Sequence, residues 1–403
     1  MTTTLIRPGL GENVESLLKQ ILIILDNEGV QSLNDNAQES MVEAAKLYPF
    51  WNKVAPEIVV VPYEKEKGMT LGEIIGTRFF QKTSNIDDIW GDFGKIADID
   101  PTYSSGHTLK VILPFLRALG ATSQWMRDFA YNSLRLMPNI IKVLSALDEK
   151  YIVRMVSTSY EFFIQAFCQA VGFDFAKTDC TFVPKFDEIP IKNKERLLLL
   201  RFMKEVAGAM LLIEYDEKTG EVKPEHQDYY DRFTDFIWKT VYNMPVGELL
   251  RIVHPVGQAQ KREAVERKIR ELQISLEKTM GVGDSQTDFQ WAQLLHGKGL
   301  VMMFNGKGKV CGQSDIMYIG DNSEAIEEVA DLFAEGGRKA VLAKYTLPEP
   351  IRGPEKGLLK SLGYAAEGGG LLAVPTEENI ETLEKMSVQK RKEVRGVHIG
   401  ELT

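Results

Sequence analysis

Two short acidic stretches carry the strongest chemical signal in this 403-residue chain. In Asp26-Asn27-Glu28-Gly29, two carboxylates one residue apart leave the end of the apolar run Ile21–Leu25. One can address a substrate while the other lies close beside it. In Gly283-Asp284-Ser285-Gln286-Thr287-Asp288, a second pair of acids follows another apolar run across a strand-to-helix turn. Both can face a common point there, and hard cations take such oxygens. Ser157, at the end of a third apolar run and before a helix, offers a hydroxyl and nearby amides to a phosphate oxygen. Lys261 opens a helix after a Gly-containing loop and brings a positive charge. Each feature alone has a plainer reading: a solvated loop acid for the first, N-capping residues for Asp284, Ser285, Asp288 and Ser157, and a surface charge for Lys261.

These residues need elements to hold them. Ile21–Leu25 is wholly apolar and stops at polar residues, as a strand buried on both faces does. Helix is expected over most of 37–149, with candidates at Leu109–Leu119, Ser123–Leu136 and Pro138–Leu147, and one short strand candidate at Ile58–Val61. Tyr151–Val156 is β-rich, closes on Ser157-Thr158-Ser159 and leads into a helix over Tyr160–Val171. A second helical stretch covers 188–250, with helices at Lys194–Leu212 and Gln227–Tyr242 and a further helix at Lys261–Gln273. Strands at Thr279–Val282, Leu300–Phe304 and Ile316–Ile319 alternate with helices at Thr287–Leu295 and Glu324–Ala334. Alternating β and α elements predict an α/β fold with a doubly wound parallel sheet. All four chemical features then fall at carboxyl ends of strands or helix starts, where such sheets keep their sites. The Gly- and Pro-rich stretch Pro348–Pro375 is expected to be an irregular extension.

Composition narrows the function. With 48 Lys plus Arg against 57 Asp plus Glu, the net charge is −9, and 44% of residues are hydrophobic. This excludes a disordered or fibrous chain, and the acidic balance gives no general attraction to nucleic acid or anionic lipid. Three scattered cysteines without a Cys-x-x-Cys pair fit a reducing cytoplasm. Met1–Gln20 lacks the pattern of a secretory signal, and the most apolar long segment, Arg196–Ile213, is broken by Arg201, Lys204 and Glu205, so it reads as an amphipathic helix. The five histidines show no metal spacing, and Gly306-Lys307-Gly308-Lys309 lacks the frame of a nucleotide-cradling loop. Lys390-Arg391-Lys392 reads as a solvated tail. Tyr229, Tyr230, Phe233, Phe236 and Trp238 read as core.

In order, context and spacing, Asp26-Asn27-Glu28-Gly29, Ser157, Lys261 and Gly283-Asp284-x-x-x-Asp288 resemble the four motifs of the haloacid dehalogenase superfamily, a group dominated by phosphoryl transfer. The lead-in from Pro138 to Ser157 and the run Gly299–Asn305 fit the same pattern, so the resemblance covers about half the chain. One departure stands out: the usual first motif is Asp-x-Asp, and here the second acid is Glu28. A similar Asp-x-Glu-Gly occurs in a phosphoserine phosphatase-like branch that includes a phosphoserine:homoserine phosphotransferase and archaeal relatives.

The resemblance implies a Rossmannoid core over 1–36, 150–187 and 251–345, a helical cap over 37–149, a second helical insertion over 188–250 and an extension over 346–403. It implies Asp26 as nucleophile forming an aspartyl-phosphate, Glu28 as general acid and base, and Ser157, Thr158 and Lys261 as holders of the transferring phosphoryl group. Mg²⁺ would sit on the Asp26 carboxylate, the Glu28 carbonyl and Asp284, with Asp288 as ligand or anchor. The implied activity is hydrolysis of a small phosphorylated metabolite. The alternatives are transfer to a small hydroxyl acceptor, or a non-catalytic subunit of the same fold that binds a protein partner; a homo-oligomer is compatible with each. Specificity is expected near Leu33–Asn36 and in the cap, around Tyr103, Ser104, Ser105 and His107.

Overall fold

The computed structural model describes residues 20–209, 212–347 and 369–396. The reading of the first twenty residues therefore lies outside it except at Gln20, as do 348–368 of the Gly- and Pro-rich stretch, Met210, Leu211 and His398. The strands are β1 (Leu22–Leu25), β2 (Ile152–Tyr160), β3 (Thr178–Thr181), β4 (Thr279–Gly283), β5 (Leu300–Phe304), β6 (Ile316–Ile319) and β7 (Leu371–Ala373). The helices are α1 (Asn36–Leu47), α2 (Leu71–Asp92), α3 (Thr108–Leu119), α4 (Ser123–Ser133), α5 (Ile140–Lys150), α6 (Glu161–Val171), α7 (Asn193–Gly208), α8 (Pro224–Asp235), α9 (Glu248–Ile252), α10 (Gln258–Leu272), α11 (Phe289–Leu295), α12 (Glu324–Tyr345) and α13 (Ile380–Arg395). No helix among the described residues is long and apolar enough to cross a membrane.

One sheet runs through the molecule in the order β3-β2-β1-β4-β5-β6-β7. All neighbours are parallel except β7, which runs antiparallel to β6. The continuous apolar run of β1 is explained by burial on both faces. Leu22 and Ile24 pack with Val265, Trp291 and Met303, while Ile23 and Leu25 pack with Val143, Phe163 and Met302. From β1 the chain order runs outward on both sides, so the carboxyl ends of β1 and β4 flank a topological switch point, where such sheets open a crevice. The fold is thus the expected doubly wound α/β sheet.

Helices α1, α2, α3, α7 and α8 share one hydrophobic core, which contains Met41, Phe79, Trp90, Phe115, Met203 and Phe233. Both helical insertions contribute to it. Of the five aromatics read as core, Tyr230, Phe233 and Trp238 are buried, and Tyr229 and Phe236 pack against them.

Four local expectations change. Ile58–Val61 is not a strand: Val59 and Val61 are 74% and 65% exposed, so this apolar run has no buried face to occupy. β2 runs past Ser157 to Tyr160, because Tyr160 pairs with Thr181 after a register irregularity and Thr181 Oγ1 donates to the Thr158 carbonyl at 2.6 Å. The helix expected to stop at Ala334 continues to Tyr345 across a break at Gly337, whose φ of +67° glycine adopts without strain. The C-terminal region is not wholly irregular, since β7 adds to the sheet and α13 lies against it. The short run Leu371-Leu372-Ala373 after Gly368-Gly369-Gly370 was the sequence signal for that strand.

Candidate active site

Asp26 follows β1, and its amide donates to the Val282 carbonyl at 2.9 Å, which ties the first acidic stretch to the last strand before the second one. The turn after Asp26 is closed by its own residues. The Gln31 and Ser32 amides donate to the Asn27 carbonyl at 2.8 and 2.9 Å, and Gln31 Nε2 donates to the Asp26 carbonyl at 2.9 Å. Gly29 sits at φ +78°, and a Cβ there would lie 1.7 Å from Asp284 Oδ2. Only glycine lets the two acidic stretches meet this closely.

Lys261, in α10, is fully buried between two carboxylates: Nζ donates to Asp26 Oδ2 at 2.7 Å and to Asp288 Oδ1 at 2.8 Å. Asp288 is fully engaged. Its Oδ1 also accepts from Trp291 Nε1 at 2.8 Å, and its Oδ2 accepts from the Asp284 and Ser285 amides at 3.0 and 3.2 Å. Asp288 therefore anchors the loop that aims Asp284 and orients Lys261. Carboxylate oxygens of Asp26, Asp284 and Asp288 lie within 4.8 Å of one another. A hard divalent cation fits the buried oxygens of Asp26 and Asp284, and the missing Cβ of Gly29 leaves room for the Asp284 carboxylate to stand beside the first acidic stretch. The Glu28 carboxyl lies beside this set rather than in it: Oε1 accepts from the Asn36 amide at 2.7 Å at the start of α1, and the residue lines the same cavity.

A cavity of about 210 Å³ opens above these groups. Core residues Asp26, Glu28, Ser157, Thr158, Asp284, Ser285 and Thr287 form its floor, and Phe80, Ser84, Asp87, Asp88, Thr108 and Leu109 come from the helical layer. Thr158 Oγ1 is buried and has no hydrogen-bond partner among the described residues, so its donor is available to an oxygen in the cavity. Ser157 Oγ lies 3.2 Å from Ser159 Oγ. Lys261 and Asp288 are not among the lining residues, and Lys261 reaches the cavity only through Asp26.

Burial dominates the electrostatics. It raises the Asp26 carboxyl to about 8, with Asp288 and Asp284 adding to the rise and Lys261 opposing it. Burial, then the charge of Asp35, raises Glu28 to about 8. In α2, burial and neighbouring acids raise Asp88 to about 8. Acidic groups so crowded can be ionised together only beside strong positive charge.

Asp35 lines the cavity within the stretch Leu33–Asn36 where specificity was expected, whereas its three basic lining residues, Lys307, Arg391 and Arg395, were not expected there. Lys307 belongs to the loop set aside as a nucleotide cradle. Arg391, read as part of a solvated tail, is 1% exposed. The correction has a simple cause: Leu383, Ser387, Arg391 and Arg395 recur at helical spacing and form the buried face of α13.

Tyr103, Ser104, Ser105 and His107 do not line the cavity. Tyr103 donates to Asp87 Oδ1 within the helical layer, and Ser104, Ser105 and His107 brace that layer against α10. Ser104 Oγ donates to Gln260 Oε1 at 2.7 Å, His107 Nε2 lies 3.0 Å from the same oxygen, and the Gln258 amide donates to the Ser105 carbonyl at 2.9 Å. Burial, then the charge of Lys110, lowers His107 to about 3. The native state thus binds fewer protons here than the unfolded chain, whose histidine titrates near 6.5. The stability this difference protects is intact above pH 6.5 and is lost as pH falls from there towards 3. Between pH 7 and pH 5, wild type is expected to lose about 2 kcal/mol relative to His107→Gln. Urea unfolding of both proteins at the two pH values checks this, and the raised carboxyl groups, common to both, cancel in the comparison.

No protein-family model and no curated protein matches the chain. Among solved structures, gene product AF1437 from Archaeoglobus fulgidus is similar over 95% of this chain and 98% of its own, with 20% identity and a TM-score of 0.66. A phosphoserine phosphatase in apo form covers 76% of this chain and 98% of its own, at 14% identity and a TM-score of 0.39. A haloacid dehalogenase-family hydrolase from Salmonella enterica serovar Typhi covers 73% and 65%, at 9% identity and a TM-score of 0.36. The fold is shared with gene product AF1437: a doubly wound, mostly parallel α/β sheet with a helical layer over the carboxyl ends of its strands.

Proposed function

We propose that this chain is a phosphatase of the haloacid dehalogenase type that hydrolyses a small phosphomonoester through an aspartyl-phosphate on Asp26, with Mg²⁺ as its cation. The observation that carries this reading is the convergence of Asp26, Glu28, Ser157, Thr158 and Asp284 on one cavity from three neighbouring strands, β1, β2 and β4, with Lys261 and Asp288 locked behind them.

Asp26 attacks phosphorus as the bond to the leaving oxygen breaks, and Glu28 gives that oxygen its proton. A carboxyl held near 8 is protonated at neutral pH, which suits Glu28 to donate. Glu28, now a carboxylate, takes a proton from water, the water oxygen attacks phosphorus, and inorganic phosphate leaves with Asp26 regenerated. Lys261 keeps Asp26 oriented, and Thr158 Oγ1 and Ser157 hold phosphoryl oxygens. A cation on Asp26, Asp284 and the Glu28 carbonyl would supply the positive field that keeps Asp26 ionised beside a dianionic substrate. The helical layer excludes water and selects substrate.

The test is phosphate release from a panel of small phosphomonoesters with and without Mg²⁺, comparing wild type with Glu28→Gln. Turnover should require the cation. The variant should lose about 10²- to 10⁴-fold on alkyl phosphates and much less on p-nitrophenyl phosphate, whose leaving group needs no proton. An equal loss on both would remove Glu28 from the acid role. Transfer to an added alcohol would redirect the reading towards a phosphotransferase.

A further inference from the structure

Asp284 is the acid that the proposed reaction needs for its cation, yet two arginines from the far end of the chain hold it. Arg391 Nη1 donates to Asp284 Oδ2, and Arg395 Nη1 approaches the same oxygen at 3.4 Å. Both side chains are buried, at 1% and 5% exposure. Arg395 is fixed further, with Nε donating to the Leu33 carbonyl at 3.3 Å and Nη2 to the Asn34 carbonyl at 2.5 Å. No described donor bonds Asp284 Oδ1.

The element that delivers these arginines is packed in place. Leu383 is fully buried, Ser387 Oγ donates to the Gly306 carbonyl at 2.6 Å, and Glu384 Oε1 accepts from the Gly308 amide at 2.7 Å. On its N-terminal side, β7 is hydrogen-bonded to β6. The guanidinium charges are thus a standing part of the cavity wall.

Resting on the cation-dependent reading above, we propose that Arg391 is a positioning residue that pins Asp284 through Oδ2 and leaves Oδ1 for the cation. With Arg395 it also holds down the site's affinity for divalent cations. The two roles act in opposite directions when Arg391 is removed. Loss of the pin frees a carboxylate that Arg395 and the Asp288-anchored loop still restrain. Loss of the charge removes a buried positive group beside a dication, and the repulsion between them scales with the product of their charges in a medium that screens poorly. The charge effect is the larger, so neutralising Arg391 should tighten cation binding. A merely structural arginine would loosen it.

The experiment measures Mn²⁺ binding to the full chain, without substrate, by electron paramagnetic resonance of the free ion. Arg391→Met is expected to bind Mn²⁺ at least ten-fold more tightly than wild type, about 1.4 kcal/mol. Arg391→Lys, which keeps the charge, should stay within about three-fold of wild type. Arg395→Met should shift in the same direction as Arg391→Met and serves if the latter does not fold. Unchanged or weaker binding by folded Arg391→Met and Arg395→Met would overturn the inference. Asp284→Asn separates the two levels. If it removes Mn²⁺ binding while the arginine variants are neutral, only the inference falls; if it leaves binding intact, the cation assignment itself fails.

Discussion

Asp26→Asn is expected to lower phosphate release by at least about 10⁴-fold, the scale on which removal of a covalent nucleophile acts. The substitution is nearly isosteric, and its amide oxygen can still accept from Lys261 Nζ, which lies 2.7 Å from Asp26 Oδ2. The fold should survive within about 2 kcal/mol, because an amide has no charge to desolvate where burial already holds the acid up to about 8. An amide cannot attack phosphorus as a carboxylate does, so a deep loss with a native melting curve isolates the chemistry from the packing. Steady-state kinetics and thermal unfolding on the same preparation check it. Residual activity within ten-fold of wild type would exclude Asp26 as nucleophile.

Lys261→Met should be the most destabilising single change in the site. The ammonium is fully buried and bridges Asp26 and Asp288 at 2.7 and 2.8 Å. Removing one partner of a buried ion pair costs about 3–5 kcal/mol, because the remaining charge is left without compensation. Here two carboxylates would face each other, and one would take up a proton at neutral pH. Adding Asp26→Asn to Lys261→Met should recover at least about 1 kcal/mol by removing one of the stranded charges, since the remaining amide oxygen can still accept from the Asn27 amide. Urea unfolding followed by tryptophan fluorescence is a suitable readout, since Trp291 Nε1 donates to Asp288 Oδ1. A single variant within about 1 kcal/mol of wild type would mean that Lys261 is not the counter-ion its position indicates.

Most of the sheet was legible because its signal is local. A wholly apolar run such as Ile21–Leu25 or Leu300–Phe304 can be buried on both faces in only a few ways, and the first of these ends at Asp26, where the chemistry begins. Asp26, Lys261, Asp284 and Asp288 could be read for the same reason: each stands just after a strand or close to a helix start that the pattern already marked, while Ser157 was legible as the polar stop of an apolar run although β2 continues to Tyr160. Thr158 was legible only as a neighbour, whereas its buried, unpartnered hydroxyl belongs to the folded site.

Charge state and long-range partnership were not legible. The upward shifts of Asp26 and Glu28 arise first from burial, which depends on how the helical layer covers the sheet rather than on adjacent residues. Nothing near Lys390-Arg391-Lys392 in the chain distinguishes a solvated basic run from the buried face of a helix. That difference was made when β7 joined β6 and laid α13 across the carboxyl end of the sheet. The sequence by itself determined the order of five of the seven strands, β1, β2, β4, β5 and β6, because apolar periodicity acts over a few residues; of the two at the ends of the sheet, β3 is mostly polar and β7 is too short to carry that signal. The tertiary structure alone decided that Asp284 meets Arg391 and Arg395, that Asp288 anchors rather than lines the cavity, and that burial raises the Glu28 carboxyl. Desolvation and pairing across the sheet depend on distances that no local stretch encodes.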